Sequence, residues 1–288
     1  MAAVLLFSSQ VAHGHVGNSA MQFAFQRLGV NCVAIPSVFL SNRPGYASVY
    51  EMQAAVETCE GVLNSLAVNG WMNEVRAIIT GYLPSEAHVM LAARWIEKLR
   101  AANPSLLYVC DPVIGDEPGG VYLNEAAALA VRDRLIPLAQ IATPNRFELS
   151  WLTGKNANTP DETADAARAL GPQTVLVTSS PAENETRLAN TLVLPGEAWM
   201  ATVPRRETVP HGTGDFLAAV FTARLLQGYR PEEALALATA SMDALVSASL
   251  NSAELEMVTS QSVWADPMPW PIHELHMPRQ DTRVLLTA

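Results

Sequence analysis

Cysteine is nearly missing from this chain. Cys32, Cys59 and Cys110 are the only three in 288 residues, widely spaced and without a CxxC pair, so neither a disulfide framework nor a thiolate metal centre organises it. Reduced thiols of this kind suit a cytoplasmic protein. Positive charge is also scarce: 18 Lys and Arg against 28 Asp and Glu leave a formal net charge of −10. A nucleic-acid surface needs clustered Lys and Arg to displace phosphate counterions, and no basic run exists, which excludes nucleic acid as a partner. Long apolar runs are absent too. Ala2 to Phe7 is too short for a signal segment and lacks basic flanks, and no stretch approaches a bilayer span. The expectation is a soluble chain with no membrane partner. A Walker A sequence is missing, since Gly154-Lys155-Asn156 has neither the upstream Gly nor the Ser or Thr. The histidines build no zinc site, with His13 and His15 flanking Gly14 in a loop and His273 and His276 in a Pro-rich tail. There are no repeats and no low-complexity linker.

What is present is 49% hydrophobic sequence, enough for one large α/β domain or two small ones. Short apolar runs alternate with amphipathic segments: Val4 to Phe7 then Asn18 to Leu28, Cys32 to Ile35 then Ser48 to Val68, Ala77 to Thr80 then Ser85 to Ala101. The pattern continues through Leu106 to Cys110, Glu125 to Leu135, Ile141 and Thr143, Phe147 to Thr153, Asp161 to Leu170 and Val175 to Thr178. This alternation predicts a doubly wound, mostly parallel sheet flanked by helices. Gly29 and Gly171 sit at helix ends, and Pro84, Pro160 and Pro231 near helix starts, as terminal preferences require. Thr191 to Leu194 and Trp199 to Val203, separated by Pro-Gly, predict an antiparallel hairpin.

The most informative segment is Val209-Pro210-His211-Gly212-Thr213-Gly214-Asp215, which leads directly into an apolar helix. Glycines at 212 and 214 allow a tight turn with outward N–H groups, and the helix N-terminus favours an anion. A carboxylate beside phosphate oxygens costs Coulomb energy unless a metal or a transferred proton offsets it, so Asp215 points to phosphoryl transfer. The alternative is a plain turn in which Asp215 caps the first amides.

In a parallel sheet, ligands bind at the carboxyl ends of the strands. Here those ends are polar: Ser8, Ser9 and Gln10; Thr80, Gly81 and Tyr82; Asp111 and Asp116; Thr143, Asn145 and Glu148; Thr178, Ser179 and Ser180. The two carboxylates of Asp111-Pro112-Val113-Ile114-Gly115-Asp116 suit Mg²⁺, although structural turns look the same. Asn145 and Glu148, three apart at a helix start, can reach one metal-bound water or form a capping box. Cys110 beside Asp111 has no neighbouring His, and burial accounts for it more simply than nucleophilic chemistry.

Thr143-Pro144-Asn145-x-x-Glu148 followed by Gly212-Thr213-Gly214-Asp215 resembles the ribokinase-like kinases. Ser8-Ser9-Gln10-Val11, Gly14-x-Val16-Gly17-Asn18, Leu40-Ser41-Asn42-Arg43-Pro44-Gly45-Tyr46, Thr80-Gly81-Tyr82 and Asp111-Pro112-Val113-Ile114-Gly115-Asp116 are similar to the pyridoxal (vitamin B6) kinase family. The likeness spans nearly the whole chain, which implies a single domain over 1–288. It implies ATP-dependent phosphorylation of the 5′-hydroxymethyl group of pyridoxal, pyridoxine or pyridoxamine, with Mg²⁺, a K⁺ or Na⁺ ion, and a homodimer. By this resemblance Asp215 is the base, and the Gly212, Thr213 and Gly214 amides hold the transferred group. Ser9, Val16, Gly45 and Tyr82 surround the vitamer. Asp111, Asp116, Tyr122, Thr143 and Glu148 surround the metal, and Asp111, Asn145, Glu148, Thr178, Ser179, His211 and Thr213 lie along ATP. Two positions depart from the family pattern. Arg43-Pro44-Gly45 removes the Thr or His common in the flap loop, and His211 replaces a small or aliphatic residue before the glycine turn. The remaining alternatives are a ribokinase-like kinase for hydroxymethylpyrimidine or a sugar, and a non-catalytic vitamer-binding protein.

Overall fold

The computed structural model describes residues 3–275; Ala2 and His276 lie outside the described residues. The first strand, β1 (Ala3–Val11), is buried along almost its whole length. Its side chains alternate between faces. Val4 and Leu6 enter one core with Met21, Phe25 and Phe216, while Leu5 and Phe7 enter another with Leu63, Val89 and Trp95. A strand apolar on both faces needs helices on both faces.

The chain supplies them in sequence. Helix α1 (Asn18–Arg27) leads to β2 (Asn31–Leu40), the short edge strand β3 (Glu51–Gln53) and α2 (Val56–Val68). Next come β4 (Val75–Thr80), α3 (Glu86–Ala102), β5 (Leu107–Cys110), a ribbon of β6 (Gly115–Asp116) and β7 (Gly120–Val121), and α4 (Glu125–Ala130). They are followed by β8 (Ile141–Ala142), α5 (Arg146–Thr153), α6 (Pro160–Leu170) and β9 (Thr174–Pro181). The hairpin β10 (Arg187–Leu194) and β11 (Glu197–Pro204) precedes α7 (Thr213–Leu226), α8 (Pro231–Ser249), α9 (Gln261–Trp264) and β12 (His273–Glu274).

Among the described residues the main sheet has ten strands in the order β12-β11-β10-β9-β8-β5-β4-β1-β2-β3. Strands β2, β1, β4, β5, β8 and β9 are mutually parallel, so their carboxyl ends share one edge. The remaining strands pair antiparallel. Helices α1, α7 and α8 cover one face and α2, α3 and α4 the other.

Two segments differ from the sequence expectation. Ser48 to Ala55 is extended rather than helical, because Ser41 binds Tyr50 through both its backbone and its hydroxyl and β3 pairs with Val38 to Leu40. The helix predicted over Glu125 to Leu135 widens into a π turn at Val131–Leu135, just before Pro137, which has no N–H to continue the ladder.

Candidate active site

The strand ends are joined beyond the sheet by further backbone bonds. Gly81 N–H donates to the Phe7 carbonyl, Asp111 N–H to Thr80, Thr143 N–H to Cys110, and Thr178 N–H to Pro144. Five of the polar clusters predicted from sequence therefore stand side by side along one edge. At the β1 end the register shifts between Ser8 and Gln10, beside Pro36, which cannot donate to the ladder. Irregular pairing of this sort re-aims residues near binding sites. A Cβ on Gly17 would lie 2.3 Å from the Ser9 hydroxyl, so glycine lets the 13–17 loop fold onto Ser9. The Ser8 hydroxyl accepts from Tyr82 N–H at 3.0 Å, and Ser37 donates to the Tyr82 carbonyl at 2.6 Å. Tyr82 is thereby fixed at the same edge, with Val16 half-buried in the adjoining loop.

The next strand ends carry an acidic cluster. Asp111 is buried, and its carboxyl group is held well above the usual range by desolvation and by the negative charges of Asp215 and Glu148. Thr143 donates to Asp111 Oδ1 at 3.1 Å. Glu148 is buried as well, which pushes it up to about 7, while backbone N–H groups of Asn145, Ile114 and Gly115 oppose the shift. Ile114 and Gly115 donate to Glu148 Oε1 at 2.8 and 3.4 Å, and Asn145 N–H donates to Oε2 at 2.9 Å. Asn145 Oδ1 accepts from Glu148 N–H, so the capping box forms in full. Capping and siting in the acidic cluster are thus compatible uses of the same carboxylate. Val113, at φ 45, is a β-branched residue in the left-handed region and turns the next two amides toward Glu148. Desolvation and the surrounding carboxylates of Glu148, Asp116, Asp111 and Asp215 raise the Tyr122 hydroxyl, which places it in the same acidic region.

The glycine turn lies opposite. Gly212 is the N-cap of α7 at φ 99, with no side-chain cap on the first amides. Asp215 therefore stands at the third helical position and does not cap the helix. Burial instead pushes its carboxyl group up to about 6, against the opposing influence of the Gly17 backbone N–H. Gly214 differs from the sequence reading. It lies inside the helix without a positive φ, and a Cβ there would meet nothing within 4 Å. Its lack of a side chain leaves space in front of the amides rather than enabling a turn. His211 is exposed at the lip of this turn.

A cavity of about 180 Å³ opens beside Thr213 and Gly214, lined also by Thr178, Ser179, Asn190, Arg206 and Asp243. Thr178, Ser179 and Thr213 were expected along a nucleotide. Asn190, Arg206 and Asp243 were not. Arg206 donates to Asp243 Oδ1 and to the Ser247 hydroxyl, both at 2.9 Å, and ties the segment after β11 to α8. No local motif marks this contact, because its partners are 37 residues apart. Gly17 carries a signal in its glycine-spaced loop, but its close approach to Ser9 is not legible there. At the flap, Gly45 is exposed at φ 104. Cys110 is fully buried, with burial pushing its thiol up to about 12.

Comparison with known proteins agrees with this fold. The phosphomethylpyrimidine kinase family model matches residues 23–259. A pyridoxal kinase of Leifsonia xyli is 35% identical over 271 residues, covering 92% of this chain and 96% of its own. A pyridoxine/pyridoxal/pyridoxamine kinase of Bordetella avium is 35% identical over 274 residues, covering 93% of each chain. Pyridoxal kinase from Leishmania donovani, solved with ADP and pyridoxamine, superposes with a TM-score of 0.89 at 28% identity over 95% of this chain and 99% of its own. Sequence motifs, sheet order and relatives converge: the chain belongs to the pyridoxal kinase family of ribokinase-like kinases.

Proposed function

We propose that this protein transfers the γ-phosphoryl group of ATP to the 5′-hydroxymethyl group of pyridoxal, pyridoxine or pyridoxamine. The observation that carries the reading is the Asp215 carboxyl group, at the third position of α7 beside the uncapped Gly212 to Gly214 turn. A carboxylate there takes the proton of the attacking hydroxyl, while the turn's amides meet the charge that develops on the transferred group. Burial and positioning supply the rest of the rate.

Ser9, Val16, Tyr82 and the Gly45 flap surround the vitamer ring in this reading. Thr178, Ser179, Thr213 and His211 lie along the nucleotide, whose base enters the cavity closed by Arg206 and Asp243. Asp111, Asp116, Tyr122, Thr143, Asn145 and Glu148 form the metal and phosphate side. The acidic crowding fits Mg²⁺: Asp111 is acted on by two other carboxylates, a situation a divalent cation relieves. Among the described residues no three His, Cys, Asp or Glu side chains converge to hold an ion alone, and Mg²⁺ commonly completes its shell with phosphates and water. When bound, Mg²⁺ neutralises charge on the phosphates. A K⁺ or Na⁺ ion beside them belongs to the same proposal.

Homodimer formation is supported by the apolar sheet edge, where Tyr50 is 72% and Met52 51% exposed on and beside β3. Cytoplasmic residence is supported by three unpaired thiols. A second reading, phosphorylation of a hydroxymethylpyrimidine, draws on the family model over residues 23–259. Incubation of the purified protein with ATP, Mg²⁺ and pyridoxal tests the first reading, which requires ADP and a 5′-phosphate ester in equal amounts.

A further inference from the structure

Arg43, where the flap departs from the family pattern, is engaged by a distant part of the chain. Its Nε donates to Glu254 Oε1 at 3.1 Å and its Nη2 to the Ala253 carbonyl at 3.0 Å. Tyr46 donates its hydroxyl to the same Glu254 oxygen at 2.6 Å, and the Arg43 guanidinium lies 4.8 Å from the Tyr46 ring centre. Both charged side chains are only 16% exposed, so this ion pair is less screened than one in open solvent.

Glu254 also touches the other loops of the site. A Cβ on Gly14 would stand 2.4 Å from Glu254 Oε2, so glycine at 14 admits the carboxylate against the loop that carries Val16. The neighbouring Leu255 side chain would lie 3.2 Å from a Cβ on Gly212. One turn, residues 253–255, thus grips the flap with one side chain and backs the phosphate turn with the next.

We propose that Glu254 is a positioning residue that latches the flap over the acceptor side of the site, with Arg43 and Tyr46 as its catch. The latch rests on the kinase reading for its effect on substrate, but not for its effect on the flap. Two carboxylate bonds and one carbonyl bond hold residues 43–46 in a loop otherwise exposed from Pro44 to Tyr50. Ordering the flap before the vitamer arrives lowers the entropic cost of closing over it.

The test uses the full-length protein and the variants Glu254→Gln, Arg43→Ala and Tyr46→Phe, the last removing only a hydroxyl. Hydrogen–deuterium exchange of residues 42–50, without ligand, is expected to quicken about tenfold in Glu254→Gln and Arg43→Ala. The KM for pyridoxal is expected to rise about tenfold while the KM for ATP stays within about twofold, since only the acceptor side loses order. Arg43→Ala combined with Glu254→Gln should fall short of the sum of the two single effects, since both remove the shared Arg43–Glu254 pair. Should Glu254→Gln fail to fold, Tyr46→Phe must still show a smaller change of the same kind. Unchanged exchange at 42–50, or an equal rise in both KM values, overturns the latch. Absence of ADP from the wild-type protein with all three vitamers instead defeats the kinase reading, and exchange alone then decides whether Glu254 holds the flap.

Discussion

The carbonyl oxygen of His15 occupies the space that a Cβ on Gly212 would need, 1.9 Å away. This contact brings the 13–17 loop against the start of α7. Gly212 and Gly214 should therefore respond differently to alanine. Gly212→Ala meets a backbone oxygen at φ 99 and should lose most activity together with stability. Gly214→Ala has helical backbone and nothing within 4 Å of the added methyl group, so its stability should hold or rise by up to about 1 kcal/mol. Its turnover should nevertheless fall, because a methyl group stands before the amides. Equal thermal losses in the two variants would contradict this distinction.

Asp215→Asn should reduce turnover by about 10²–10⁴-fold while ATP binding persists, as loss of a general base does. Its stability should move the other way. The folded pKa is raised from 3.8 to about 6, so the stabilising contribution of Asp215 is fully present below about pH 4 and is lost as pH rises through about 6. Asparagine avoids that loss. Thermal melts of the ligand-free protein should show the variant more stable at neutral pH by on the order of 2 kcal/mol, with the gap closing toward the acid end. A variant less stable than wild type at neutral pH would refute the raised pKa of this half-buried carboxylate.

Glu148→Gln keeps one acceptor oxygen for Ile114 and Gly115 but turns an amide toward the Asn145 N–H, which Oε2 now accepts at 2.9 Å. The lost cap should cost about 1–3 kcal/mol in thermal or denaturant unfolding, and relief of the buried charge, raised to about 7, should offset that cost as pH rises through 7. The Mg²⁺ concentration for half-maximal rate should also rise several-fold, since carboxylate charge is removed from the metal side. An unchanged Mg²⁺ titration removes Glu148 from that role.

The thiols make a further check. Burial pushes Cys32 up to about 11 and Cys110 up to about 12, so neither is a thiolate at neutral pH. Alkylation followed by peptide mass mapping should leave Cys110 unmodified until the protein unfolds. Rapid labelling of native Cys110 would reopen the nucleophile reading that the sequence raises.

Local chemistry made much of the site legible. Turn and cap residues act over three or four positions, so the strand-end clusters, the Asn145 and Glu148 pair and the glycine turn stood out in the sequence. Gly214 shows the limit of that reading, since a glycine inside a helix and a glycine in a turn look alike on the page. The Arg206–Asp243 tie and the Glu254 contacts were invisible for a different reason: their partners lie 37 and 211 residues apart and are brought together only by the sheet order. The extended Ser48 to Ala55 segment is not legible in the sequence because hydrogen bonds to Ser41, not its own periodicity, set its conformation.

The most direct measurement is ADP release by the purified protein with ATP and Mg²⁺ against a panel of pyridoxal, pyridoxine, pyridoxamine, hydroxymethylpyrimidine and simple sugars, run beside Asp215→Asn. A vitamin B6 kinase turns over at least one vitamer far faster than the pyrimidine or any sugar, and loses that turnover in the variant. Preferential ADP release with the pyrimidine or a sugar, or tight vitamer binding with no ADP at all, would contradict it.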